Sequence, residues 1–190
     1  MSLESSLTPG APEPNPRRWT QSRFPRDEFA DVLASNARYA AHFTGLGLGG
    51  RAARGLAIVT CMDSRIEPLG VVGMRPGDAK ILRNAGGRVT DDVLRTLVLA
   101  VYLLDVTRVL VMPHTRCRMA GSSEEQIHAL ISERHHIDTR SIEFRTVTDQ
   151  GAALRLDLQR IRSFPLLPTG LVVGGAMYDV DTGRLSPIEG

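Results

Sequence analysis

Short apolar runs alternate with helical segments after residue 55, and this alternation constrains the fold more than any other feature. Residues 56–60 and 109–112 are apolar and rich in β-branched side chains, which is typical of strands buried on both faces. Residues 80–82 are a weaker run of the same kind, and Thr90 can cap the helix that follows it. Strands that alternate with helices predict an α/β fold with a mainly parallel β-sheet flanked by helices.

The second half of the chain continues the alternation. Ser122 and Glu125 fit a capping box at the start of one helix, and Asp149 fits the N-cap of the next. Alternating apolar side chains over residues 142–146 predict a fourth strand between these helices, and residues 171–173 begin the last predicted strand. Ligands of such sheets bind beyond the carboxyl ends of the strands, so we expect the functional residues there.

The first residues differ in composition from the rest. Residues 1–24 contain four prolines among serine, threonine, glycine and glutamate, and they have little to bury. This segment is therefore predicted to be a disordered or loosely attached tail. Residues 25–190 are predicted to form one domain, because this length suffices for one compact core. That domain is expected to begin with a helix whose first turn carries Asp27 and Glu28.

Charge and cysteine content argue against several classes of protein. The formal net charge of +2, from 23 basic and 21 acidic residues, argues against a nucleic-acid-binding protein. No apolar run approaches the roughly 20 residues that span a bilayer, and the first residues do not resemble a signal peptide. We therefore expect neither membrane insertion nor secretion. The two cysteines are too few for a disulfide scaffold and favour a reducing compartment, so we expect a cytoplasmic location.

Both cysteines lie where a site is expected. Cys61 directly follows the run at residues 56–60, and His114 and Cys117 follow the run at residues 109–112. If these two strands are neighbours, the three side chains converge on one point. Cysteine and neutral histidine are good zinc ligands, and three protein ligands leave a fourth position for water. Two alternatives stay open: the cysteines are buried small apolar residues, or they form a disulfide.

Asp63 and Arg65 stand beside the candidate ligand Cys61. A carboxylate near a metal-bound water can accept its proton or its hydrogen bond. An arginine that binds the carboxylate through two hydrogen bonds orients it and keeps it ionised. The alternative is an ordinary salt bridge within the loop.

Three motifs that follow the predicted strands are Cys61-x-Asp63-x-Arg65, Arg83-Asn84-Ala85-Gly86 and His114-x-x-Cys117. In this order and at these separations they resemble the β-class carbonic anhydrases. The start of the helix at Thr90 resembles the short actinobacterial, clade D-like branch of that family. The resemblance covers residues 25–188. It implies a β-carbonic anhydrase-like fold whose N-terminal helix packs on a dimer partner, in a homodimer or a dimer of dimers.

The resemblance also implies an activity. A carbonic anhydrase is a zinc lyase that reversibly hydrates carbon dioxide to bicarbonate by means of zinc-bound hydroxide. By this resemblance, Cys61, His114 and Cys117 bind one Zn²⁺ per chain. Asp63 and Arg65 are the catalytic pair, and Asp63 becomes a fourth ligand only in a closed state. Neither a nucleic acid nor a membrane is expected as a partner.

The chain departs from the family at three positions near the proposed site. Arg116 and Arg118 stand where the family commonly has aspartate and glycine, and Gly87 stands where it has asparagine. Whether the two arginines point to solvent or inward stays open; pointing inward, they would hold anions and slow the release of bicarbonate. Together with Ala85 and Gly86, they are predicted to be adjacent to the substrate.

Other functions compete with carbon dioxide hydration. One is the hydrolysis of carbonyl sulfide or another analogue of carbon dioxide at the same zinc. A second is a non-catalytic zinc-binding member of the family. A third is a thiol redox sensor that uses Cys61 and Cys117.

Overall fold

The computed structural model describes residues 24–45 and 47–189. The predicted tail lies outside the described residues except for Phe24, so it stays a prediction, as does the single domain over residues 25–190. The described residues fall into two compact units, one on either side of residue 46, which are taken in turn.

The first unit contains one helix, α1 (Ala30–Ala41). Asp27 and Glu28 lie in the turn before the helix, so the prediction that they occupy its first turn is wrong; Asp31 does. No residue of α1 is buried, although its apolar face includes Val32, which is 54% exposed.

The second unit contains a five-stranded sheet in the order β2-β1-β3-β4-β5. The four strands from β2 to β4 are parallel, and β5 is antiparallel to β4. This confirms the predicted mainly parallel α/β sheet. The strands are β1 (Leu56–Cys61), β2 (Ala79–Asn84), β3 (Arg108–Met112), β4 (Val172–Tyr178) and β5 (Leu185–Ile188).

Four helices follow strands or loops of this unit, and two of the predicted caps are confirmed. Thr90 accepts a hydrogen bond from the Val93 amide, and Asp149 accepts one from the Ala152 amide. The helices of this unit are α2 (Pro68–Val71), α3 (Asp91–Leu103), α4 (Glu124–His135) and α5 (Gln150–Arg162). None of the helices in residues 24–45 and 47–189 is long and apolar enough to cross a membrane.

The predicted capping box is wrong by one residue. Ser123, not Ser122, is the N-cap of α4, and its hydroxyl accepts from the Gln126 amide. The Gln126 side chain accepts from the Ser123 amide in return, so glutamine takes the part predicted for Glu125. Two adjacent serines offer the same cap chemistry, and the tertiary structure selects the second.

The predicted strand at residues 142–146 is also wrong, because its backbone donors are used otherwise. The amides of Phe144 and Thr146 donate to the two carboxylate oxygens of Glu124, at 3.0 and 2.9 Å. One side chain on α4 therefore takes the hydrogen bonds that a neighbouring strand would have taken. The strand predicted at residues 171–173 is real, but it is not the last, since β5 follows it.

The core lies on both faces of the sheet and centres on β1, all six residues of which are buried. One face packs against α3 and α5 through side chains such as Val59, Leu97 and Leu158. The other face contains Ile58 and Met112 together with both cysteines. The carboxyl ends of β1 and β3 therefore meet at a buried edge.

Candidate metal centre

Cys61, His114 and Cys117 meet at the carboxyl ends of β1 and β3. The two strands are parallel neighbours, and Thr60 lies opposite Met112 in their register. The ligand atoms of the three residues all lie within 4.8 Å of one another, and all three residues are buried. The predicted convergence is therefore confirmed. In the described part of the chain, no other group of histidine, cysteine and acidic side chains is arranged in this way.

One nitrogen of His114 has no partner. Its Nδ1 lies 2.9 Å from the carbonyl oxygen of Thr115, which can only accept, so Nδ1 carries the proton. Its Nε2 is then a free acceptor, although the side chain is 0% exposed. Among buried side-chain nitrogens and oxygens of the described residues, this atom alone lacks a hydrogen bond. Such a fixed tautomer with a bare, buried Nε2 is what a metal ligand requires.

The pKa values of the two thiols are shifted in opposite directions. Cys117 donates a hydrogen bond to the Cys61 sulfur, which lowers the pKa of Cys61 despite its burial. The backbone amides of Asp63 and Gly86 also lower the pKa of this thiol. The same hydrogen bond, with burial, raises the pKa of Cys117. Two sulfurs and one imidazole nitrogen are a donor set that zinc prefers, and a thiol releases its proton when it binds the metal. The residues therefore fit the metal.

Asp63 and Arg65 form the expected pair beside the cluster. Arg65 Nε donates to Asp63 Oδ1 at 2.8 Å, and Nη2 donates to Oδ2 at 2.7 Å. These bonds hold the pKa of the Asp63 carboxyl well below its usual range. Asp63 Oδ2 lies 3.8 Å from His114 Nε2, yet Asp63 is outside the three-residue group. The carboxylate is thus next to the cluster while Arg65 holds it; its role as a fourth ligand stays a prediction.

Arg116 and Arg118 have their side chains at the surface of the chain. Arg116 is paired with Asp181 at 3.1 Å, and its side chain is 63% exposed. Arg118 is exposed as well. The backbone of Arg116 faces the site instead: it has a left-handed φ of 54°, and its carbonyl accepts from Arg65 Nη2 at 3.3 Å. Both side chains are exposed in the single chain; whether they are adjacent to the substrate stays a prediction.

A side chain at position 87 would collide with the backbone at the end of β1. Gly87 has a φ of 66°, and a Cβ added there would lie 3.0 Å from the backbone nitrogen of Cys61. Gly86 before it is buried, with a φ of 79°. Ala85 borders a cleft of about 520 Å³, whose other wall includes Phe144 and Arg145. Whether Ala85 and Gly86 contact substrate stays a prediction.

Two residues that hold the site were not assigned a role from the sequence. Arg83 donates to the carbonyl oxygens of Cys61 and Asp63 at 2.9 and 2.6 Å, and to Ile66 at 3.2 Å. Its place in the second motif could have drawn attention to it. Gln150 donates to the carbonyl oxygen of His114 at 2.9 Å. No motif marks that glutamine, because the contact joins positions 36 apart.

Comparisons with known proteins agree on one family. The sequence profile described as "Carbonic anhydrase" matches residues 56–185. Beta-carbonic anhydrase 1 of Mycobacterium tuberculosis is 33% identical over 159 residues, which are 83% of this chain and 96% of that protein. A carbon disulfide hydrolase of Saccharolobus solfataricus is 31% identical over 155 residues, 70% of this chain and 76% of that protein. The crystal structure of a carbonic anhydrase from Streptococcus mutans superposes with a TM-score of 0.78 at 34% identity, covering 88% of this chain and 99% of that one.

Proposed function

This chain belongs to the β-carbonic anhydrase family, and we propose that it catalyses the reversible hydration of carbon dioxide to bicarbonate. The observation that carries the proposal is the bare Nε2 of His114, buried between two cysteines and 3.8 Å from an aspartate that an arginine orients. A protein that uses its cysteines only for packing does not need a buried imidazole nitrogen without a partner.

The metal of the proposal is one Zn²⁺ per chain, held by Cys61, His114 and Cys117. When bound, zinc supplies the Lewis acidity that makes hydroxide available near neutral pH. Thr115 fixes the His114 ring through Nδ1, so that Nε2 faces the cluster. The backbone amide of Gly86 stabilises negative charge on the Cys61 sulfur.

Asp63 and Arg65 are the catalytic pair of the proposal. Asp63 accepts a hydrogen bond from the reacting water and thereby fixes its orientation toward carbon dioxide. Arg65 keeps Asp63 ionised, so the carboxylate acts as an acceptor only. One water and one carbon dioxide give bicarbonate and a proton, and the proton leaves to buffer.

The decisive experiment measures carbon dioxide hydration by stopped flow on protein of known zinc content, from about pH 6.5 to 9, where zinc hydroxide chemistry operates. We expect one zinc per chain, with both zinc and activity lost in Cys61→Ser. Zinc-free, inactive wild-type protein with a Cys61–Cys117 disulfide would instead favour the redox sensor, and zinc-loaded but inactive protein would favour the non-catalytic member of the family.

A second candidate function is the hydrolysis of a sulfur analogue of carbon dioxide. The favouring observation is the similarity to carbon disulfide hydrolases, one of which is 31% identical to this chain. The same zinc and the same Asp63–Arg65 pair would serve both reactions. Assays of sulfide release from carbon disulfide and carbonyl sulfide discriminate between them. Release faster than carbon dioxide hydration would make the sulfur compound the preferred substrate.

The proposal includes a homodimer and a cytoplasmic location. In support of the dimer, α1 has no buried residue: its apolar residues Val32 and Leu33 are exposed, and so is Phe29, which precedes its first turn. An apolar surface of this kind is normally covered by a partner. We expect Val32→Glu to dissociate the dimer in analytical ultracentrifugation and Arg38→Glu, on the polar face, to leave it intact. A reducing compartment is supported because thiol ligands must be reduced to bind zinc.

A further inference from the structure

The turn Ala85–Gly87 lies directly against the end of β1. Both of its glycines have left-handed φ values, 79° for Gly86 and 66° for Gly87. A Cβ at Gly87 would lie 3.0 Å from both the Cys61 nitrogen and the Thr60 carbonyl carbon. The backbone of the turn is therefore packed on the backbone of a cluster residue, so a shift of the turn must shift Cys61.

Asn84 and Arg88 close this turn from its two ends. The Asn84 side-chain amide donates to the Arg88 carbonyl oxygen at 2.7 Å. The Arg88 amide donates back to the Asn84 side-chain oxygen at 2.8 Å. The position of the turn thus depends on where the rest of Arg88 is held.

All three nitrogens of the Arg88 guanidinium donate hydrogen bonds. Its Nε and Nη2 donate to the Asp157 carboxylate at 2.7 and 3.3 Å, and its Nη1 donates to the Arg145 carbonyl oxygen at 3.3 Å. The Arg88 and Asp157 side chains are only 19% and 7% exposed. One side chain thereby joins the turn to α5 and to the segment that forms the far wall of the cleft.

Stability alone does not account for this ion pair. Two charges removed from water lose hydration that their attraction seldom outweighs, and apolar residues of the same size would serve as well. What apolar residues cannot supply is the fixed geometry of a planar guanidinium that binds a carboxylate through two hydrogen bonds. The ion pair therefore fixes the position of the Ala85–Gly87 turn, and that turn packs on the backbone of Cys61.

We propose that Arg88, held by Asp157, is a positioning residue for the metal centre. It holds the Ala85–Gly87 turn against β1 and so fixes the Cys61 sulfur in the place from which it binds metal. This inference rests on the proposed zinc site, and it assigns a role to a pair 69 positions apart, outside the three motifs. Neither residue belongs to the group of three metal-ligating side chains.

Two variants test the proposal through metal binding. Arg88→Lys keeps the charge but loses the planar guanidinium group. Asp157→Asn keeps the shape but loses the charge. We expect each to weaken zinc binding at least about 10-fold in competition with a chelator, as is typical when a partner behind a ligand is lost. We also expect the absorption bands of the Co²⁺-substituted protein to shift, because the Cys61 sulfur is displaced. The zinc affinity of the double variant should be no lower than that of the single variant with the lower affinity, since both substitutions disrupt the same contact.

The chain offers a matched control in the pair of Arg160 with Asp91. It too bridges 69 positions to α5, but Asp91, the first residue of α3, is 88% exposed, and neither side chain is hydrogen-bonded to the turn. Arg160→Lys should leave zinc affinity and the Co²⁺ spectrum unchanged. Leu158→Ala, which opens a cavity in the core beside Asp157, serves as the control for lowered stability: it should unfold more easily and still bind zinc as the wild type does.

The outcomes separate this inference from the proposed function. Wild-type protein that binds no zinc would contradict the proposed function. Wild-type protein that binds zinc, with Asp157→Asn and Arg88→Lys indistinguishable from it in affinity and Co²⁺ spectrum, would overturn the positioning role alone. If Arg88→Lys does not fold, Asp157→Asn decides the question against the Leu158→Ala control.

Discussion

Two Asp-x-Arg pairs in this chain have the same local structure in different surroundings. In both, the arginine amide donates to aspartate Oδ1 at 3.0 Å and Nη2 donates to Oδ2 at 2.7 Å. The Nε contacts are 2.8 Å from Arg65 to Asp63 and 2.9 Å from Arg140 to Asp138. In both, the arginine holds the pKa of the aspartate well below its usual range.

What differs is the position in the fold. The Asp63 side chain is 20% exposed and lies 3.8 Å from His114 Nε2, whereas that of Asp138 is 61% exposed and follows α4. The two-residue separation of aspartate and arginine is therefore enough to form the ion pair. A role in catalysis depends in addition on the place of Asp63 at the carboxyl end of β1. An Asp-x-Arg motif by itself is weak support for catalysis, and the Asp138 pair serves as an internal control for each experiment on the Asp63 pair.

The largest difference is expected when each aspartate is neutralised. Asp63→Asn should lower kcat/KM for carbon dioxide by roughly 100-fold or more, because an amide group can present a donor where the carboxylate only accepts. Asp138→Asn should leave kcat/KM unchanged. Stopped-flow hydration assays on both variants, corrected for zinc content, measure this. Equal activities in the two variants would remove Asp63 from the mechanism.

A smaller difference is expected when each arginine becomes lysine. Arg65→Lys keeps the charge but cannot form both hydrogen bonds to the carboxylate, so Asp63 stays ionised but is less well oriented. We expect kcat to fall about 10-fold with little change in bound zinc. Arg140→Lys should leave both kcat and bound zinc unchanged. A fall of the same size in Arg140→Lys would mean that the substitution acts through general stability.

The sequence predicted the convergence of the cluster for a physical reason. Parallel neighbours must end at the same edge, so Cys61 and His114 meet once β1 and β3 are paired. Caps such as Thr90 were also predictable, because a cap and the helix it begins are adjacent in the chain. Local chemistry and the geometry of parallel sheets together were sufficient here.

Contacts between distant positions could not be predicted in this way. Residues 142–146 have the alternation of a strand, but Glu124 takes two of their amides from outside the segment. Likewise, no local pattern pairs Arg88 with Asp157. In both cases a charged side chain on one element binds another element far along the chain, and a single sequence contains no periodicity for such a contact.

On stability, unlike activity, the two pairs should behave alike. Each aspartate has a folded-state pKa below its ordinary value, so its contribution to stability is present above about pH 4 and is lost as the pH falls through the folded-state pKa. Asp63→Asn and Asp138→Asn should therefore both be less stable than wild type at pH 7, by small amounts that shrink below pH 4. Urea unfolding of zinc-free protein from neutral to acid pH measures this. A deficit in Asp63→Asn that stays constant down to acid pH would show that its loss acts through packing and not through charge.

The smallest effect is expected at a contact that Arg65 makes and that Arg140, within the described residues, does not. Arg65 Nη2 also donates to the carbonyl oxygen of Arg116. That acceptor is backbone, and the Arg116 side chain is exposed against Asp181. Arg116→Ala should therefore change kcat/KM by less than about 2-fold, since exposed ion pairs contribute only about 0–1 kcal/mol. Asp181→Asn should match it. A clear rise in turnover in Arg116→Ala, without one in Asp181→Asn, would mean that the arginine side chain reaches the product anion in solution and slows its release.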